Sequence, residues 1–61
     1  MKRLKLLKHL HDNHCMLLRE GGNHSVYINK TTNKKTSVPR HSDIDERTVL
    51  KICNQLEIMK I

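Results

Sequence analysis

Sixty-one residues make a chain long enough for one domain with a small core. With no Trp, no Phe and Tyr27 as the sole aromatic ring, that core must be aliphatic, which excludes a large cofactor pocket and an RNA-stacking sheet that needs several exposed rings. Twelve Lys and Arg against six Asp and Glu leave a net charge of +6, which draws polyanions, and no apolar run approaches the roughly 18 residues of a membrane span.

The first predicted element is a helix over 2–13. Leu6, Leu7 and Leu10 stand at i, i+1 and i+4, Leu4 widens the stripe and His14 continues it. Lys2, Arg3, Lys5 and Lys8 read as a solvated basic face. The run from Cys15 to Glu20 is too short for another helix and stops at Gly21-Gly22, a pair that supplies positive φ without steric cost and so signals a hairpin turn. Residues 25–29 alternate around β-formers and predict a second strand, with Val26 and Ile28 on its buried face. His24 shares their parity, so the turn is expected to re-aim it before the strand begins at Ser25. Residues 30–34 read as a polar loop and 35–38 as a third strand closed by Pro39, which lacks a ladder N–H.

Residues 45–57 predict the clearest helix. Val49, Ile52, Cys53 and Leu56 fall at i, i+3, i+4 and i+7, Asp45 is a good N-cap, and Ile44 with Val49 fits a hydrophobic staple. The whole chain, 1–61, therefore reads as one α+β domain in the order α-β-β-β-α. Hairpin connections make the sheet three-stranded and antiparallel. Two singly amphipathic helices must both cover one face of it, which leaves the other wet.

Five histidines raise the question of a metal. His9, His11, His14 and Cys15 crowd together, but the chain has no paired zinc-ligand motif, so no metal or other cofactor is expected. Cys53 on the apolar stripe reads as a buried hydrophobe. Cys15 and Cys53 are too few for a disulfide scaffold, and no apolar segment follows Met-Lys-Arg-Leu, so the expectation is a reduced, cytoplasmic protein. His24 is different in kind. It stands where a turn meets a sheet, and turns on a rigid scaffold display reactive groups. An imidazole titrates near neutral pH and serves as acid or base.

The stretch Arg19-Glu20-Gly21-Gly22-Asn23-His24-Ser25-Val26-Tyr27 closely resembles the signature of HicA toxins. Val38-Pro39-Arg40-His41 is similar to that family's third-strand segment. Ser42 to Asp45 followed by Thr48-Val49-Leu50-Lys51 resembles the opening of its last helix. The resemblance covers about residues 2 to 58. It implies a fold similar to a double-stranded-RNA-binding domain, and a small ribonuclease that cleaves mRNA and is silenced by a HicB-like antitoxin. Carried across, the family's catalytic histidine falls on His24 and its third-strand histidine on His41, a candidate second acid or base. Two departures stand out. His14 and Cys15 occupy positions where the family commonly has Gly and an aromatic residue, and Glu57 to Ile61 lack the family's Gly after the last helix.

Ribonuclease chemistry of this kind needs a base, an acid and cations around the phosphate, with no metal or small-molecule cofactor. Arg19, Asn23, Lys35 and Arg40, in or beside the turn and strands, are the candidate RNA contacts. Charge and fold fit a non-catalytic nucleic-acid-binding module equally well. A third reading is a basic face that pairs with an acidic protein. The histidine in the turn is what favours an enzyme, since a pure binder has no need of it.

Overall fold

The computed structural model describes residues 1–61. Helix α1 spans Arg3–Asp12, strands β1, β2 and β3 span Cys15–Glu20, His24–Asn29 and Lys35–Pro39, and helix α2 spans Glu46–Leu56. The strands form one antiparallel sheet in the order β1-β2-β3. Both helices cover the same face, so the fold is the predicted α-β-β-β-α arrangement. Residues 1–3 are stitched to 42–44 by Arg3 N–H donating to Ser42 O (2.9 Å) and Ile44 N–H to Met1 O (2.7 Å), which brings the starts of the two helices together.

The core is mostly helical in origin. Leu6 and Leu10 of α1 meet Val49, Ile52, Cys53 and Leu56 of α2, with Ile44 joining from the loop. The sheet adds only Cys15 and Val38. Asp45 caps α2 by accepting from Arg47 N–H at 3.0 Å, and Ile44 and Val49 share the core as a staple requires. The α1 stripe is narrower than predicted. Leu4 is 79% exposed, and His14 lies beyond the helix, exposed, at φ 66°. The helix has already turned out at Asn13, so His14 cannot continue its face.

The packed face of β2 is the opposite of the predicted one. Ser25 and Asn29 are buried and Tyr27 half-buried against the helices, while His24, Val26 and Ile28 lie on the open face. Polar residues are stable there because each finds partners. Asn29 Nδ2 donates to Leu56 O (2.7 Å) at the end of α2, and its Oδ1 accepts from Thr31 N–H (2.9 Å). His24 is therefore already part of the strand, opposite Pro39, and needs no re-aiming to reach solvent.

A bulge in β1 completes the frame. Leu17 pairs with Tyr27, but Arg19, not Leu18, pairs with Val26, and Glu20 pairs with Ser25. One unpaired residue thus moves Arg19 to the open face and Glu20 to the helix side. Without it, Glu20 would stand opposite His24.

Candidate active site

The β1–β2 connection is Gly21-Gly22-Asn23, closed by Gly21 N–H donating to His24 O at 2.8 Å. Neither glycine has positive φ, contrary to the expectation of a left-handed turn. Gly21 is required for a different reason. A Cβ there would stand 3.1 Å from the His24 carbonyl oxygen, a backbone atom with little room to give, whereas a Cβ on Gly22 would meet nothing within 4 Å.

Arg40, just beyond β3, holds this turn from below. Its Nη1 donates to Gly22 O (2.9 Å), and its Nη2 to Gly21 O (2.5 Å) and to Glu20 Oε1 (2.7 Å). The planar fork of a guanidinium can reach several fixed acceptors at once, which an ammonium cannot. Ser25, buried beneath His24, is the second anchor. Its hydroxyl donates to Glu20 Oε1 (2.6 Å) and accepts from Arg3 Nη2 (3.1 Å) and, at longer range, Arg40 Nε (3.5 Å). Arg3 Nε also donates to Pro39 O (2.9 Å), the residue paired with His24. The Ser25 hydroxyl, and after it Arg40, hold the Glu20 carboxyl below its ordinary range. Arg3, predicted as part of a solvated face, is instead an internal tie between α1 and the sheet.

His24 is exposed, and neither ring nitrogen has a hydrogen-bond partner in the protein. Its orientation comes from the backbone that Arg40, Ser25 and Arg3 fix. Two clefts meet at it. One, of about 560 Å³, is lined by Gly22, Asn23, His24, Pro39, Arg40 and His41. The other, of about 330 Å³, runs between β3 and α2 and shares His24 and Pro39 with the first. No Asp or Glu lines either.

The structure thus brings His24, His41, Asn23 and Arg40 to one cleft. Arg19 and Lys35 lie exposed on the open sheet face, opposite Val26 and Ile28, in the same parity as His24. The remaining histidines stand apart. His9 Nε2 lies 2.6 Å from Met59 O, tying the residues after α2 to α1. His11 and His14 are exposed, and no three His, Cys, Asp or Glu side chains converge as a ligand set. Cys15 and Cys53 are free and buried; burial pushes both thiols up, so they stay protonated at neutral pH.

The family model described as the HicA toxin of bacterial toxin–antitoxin pairs matches residues 4–58 of this chain. The chain belongs to the HicA toxin family. Neither the curated proteins nor the solved structures gave a match. HicA membership assigns a toxin role and pairing with an antitoxin, and its span takes in α1 from its second residue, the three strands, α2 and both clefts. No helix is long and apolar enough to cross a membrane. Sequence reading missed three parts of this candidate site: the bulge, the Arg3 tie and the cleft beside α2. The apolar run of β1 has no alternation to betray a bulge. The α2 wall was visible only as Thr48, Lys51 and Gln55 flanking the apolar stripe.

Proposed function

We propose that the protein is an endoribonuclease toxin that cleaves mRNA in the cytoplasm, with His24 moving the proton, and that a HicB-like antitoxin neutralises it. The observation that carries this reading is His24 itself: an exposed imidazole with both nitrogens available, on a strand end fixed by two arginines, between two clefts without a carboxylate. A polyanion is attracted there by the net charge of +6, and Arg19 and Lys35 give its backbone cationic contacts along the open face.

The reaction that suits these groups is internal transesterification. A base removes the proton of a ribose 2′-OH, the 2′-oxygen bonds to the adjacent phosphorus, and the bond to the 5′-oxygen breaks as an acid protonates it. The fragments carry a 2′,3′-cyclic phosphate and a 5′-hydroxyl. His24 in one protonation state serves as base or acid, and His41, on the same cleft, is the proposed partner for the other proton. Asn23 is positioned to donate to a phosphate oxygen as negative charge builds on it.

The test is incubation of labelled single-stranded RNA with purified wild type and His24→Ala, with and without EDTA. Wild type is expected to give 5′-hydroxyl fragments in both buffers and His24→Ala to give essentially none while remaining folded. Binding without cleavage by wild type would make the protein a nucleic-acid-binding module. Loss of activity in EDTA, restored by a divalent cation, would overturn the metal-free route.

A further inference from the structure

The cleft between β3 and α2 takes no part in the proton transfers, yet it opens onto the same histidine. Thr48, Lys51 and Gln55 stand at i, i+3 and i+7 on α2, one polar stripe beside the apolar one, and Thr36 and Ser37 form the facing wall. The Thr36 hydroxyl donates to Gln55 Oε1. That bond fixes the amide and leaves both N–H groups of Nε2 without a protein partner. Lys51 is exposed and belongs to none of the ion pairs. The cleft therefore offers oriented donors and one free cation with no acid opposite, which suits a ligand rich in acceptors. Its volume of about 330 Å³ is at the small end for ligand sites, the scale of a single nucleoside.

We infer that this cleft is the subsite for one of the two nucleotides that flank the scissile phosphate. Its base accepts from the Gln55 amide, and the next phosphate along the strand sits on Lys51. The inference rests on the ribonuclease reading above. A phosphate cut beside His24 has a nucleoside on each side, and His24 is the wall common to two clefts, so each nucleoside has a cleft of its own. Single-stranded RNA is read by hydrogen bonds to exposed base edges. Gln55, with its oxygen engaged by Thr36, presents N–H donors alone; it cannot return the acceptor that the bidentate pairing with adenine N6 and N7 needs, so it disfavours adenine relative to guanine, whose O6 and N7 both accept.

The experiment measures kcat and KM for oligoribonucleotides that vary at the nucleotides beside the cut, using wild type, Lys51→Ala, Gln55→Ala and a charge control, Lys5→Ala, on the exposed face of α1. In parallel, NMR follows a titration of wild type with the non-cleavable 2′-deoxy oligonucleotide. Lys51→Ala is expected to raise KM by about tenfold, the loss of one charge-assisted phosphate contact, with kcat held. Gln55→Ala is expected to erase the discrimination against adenine, Lys5→Ala to change nothing, and the amides of Thr48, Lys51 and Gln55 to shift on titration. Wild-type cleavage with unchanged KM and base preference in both cleft variants would overturn the subsite and leave the ribonuclease reading standing. An equal rise in KM for Lys5→Ala would also overturn it, since that reports diffuse charge. If wild type cleaves nothing, the ribonuclease reading fails and the titration decides: shifts at the three α2 amides support a nucleotide site there, and their absence overturns it.

Discussion

The backbone enters the left-handed region at the two helix exits, His14 and Glu57, and at Asn33 in the loop between β2 and β3, and none of these positions is glycine. At the β1–β2 turn the chain has two glycines in sequence, and neither is left-handed. The two regions solve different problems. Glu57 closes α2 by donating its N–H to Asn54 O while Ile58 N–H reaches Cys53 O, the bond pattern that favours glycine at this position. His14 makes the α1–β1 turn, donating to His11 O. Both turns lie between residues anchored in or against the core: Leu10 and Cys15 flank His14, and Leu56 and the partly buried Ile58 flank Glu57. At the β1–β2 turn, glycine serves close approach: Gly21 against the His24 carbonyl, and both carbonyls laid open to Arg40. Strain sits in the scaffold, and the room that glycine creates sits at the site.

Ser25→Ala removes the buried hydroxyl on which Arg3, Arg40 and Glu20 converge, and is expected to cost about 1–3 kcal/mol in chemical denaturation, since the partners are left unsatisfied. Gly21→Ala is expected to cost about 1 kcal/mol and to slow cleavage by displacing the His24 carbonyl, whereas Gly22→Ala is expected to leave stability unchanged or slightly raised. Equal losses at the two glycines would mean that backbone conformation, not close approach, is what they supply. At the helix exits the sign reverses. His14→Gly and Glu57→Gly are each expected to stabilise by up to about 1 kcal/mol, relieving left-handed strain, with cleavage unchanged.

The smallest effect concerns pH. Glu20 has a lowered folded-state pKa, from the Ser25 hydroxyl first and Arg40 next, so folding favours its charged form. Its contribution is present above the unfolded-state pKa and is lost as pH falls through the folded one. Stability measured across an acid series should therefore separate wild type from Glu20→Gln at neutral pH and bring the two together at the acid end. A gap that persists at the lowest pH would show that the carboxylate charge is not what Glu20 contributes.

How far the sequence carries is clearest from α2 and β2. The cap, staple and apolar stripe of α2 are local signals, and each appears in the structure as read: Asp45 on Arg47 N–H, Ile44 with Val49, and Val49, Ile52, Cys53 and Leu56 in the core. The packed face of β2 cannot be read that way. Val26 and Ile28 look like the core side by hydrophobicity. The face is set instead by distant partners: Arg3 for Ser25, 22 residues away, and Leu56 for Asn29, 27 away. The same holds for the candidate site. The His24 turn is a contiguous run of residues and is visible as one. The Arg40 clamp and the α2 cleft join elements far apart in the chain, and their residue types alone do not announce them.

Arg40 decides between the two uses of an arginine at such a site, since it can contact RNA or hold the turn. Its charge is already offset by Glu20 at 2.7 Å, and its donors point into the turn. The most direct measurement is therefore Arg40→Ala assayed for cleavage rate and, on the same preparation, for affinity toward a non-cleavable RNA analogue across a salt series. The expected result is a cleavage rate lower by about a hundredfold, the scale of misplacing a reacting group by about 1 Å, with affinity and salt slope nearly unchanged. A preserved rate together with weaker binding, and a salt slope shallower by about 0.7, would contradict it and make Arg40 a phosphate contact.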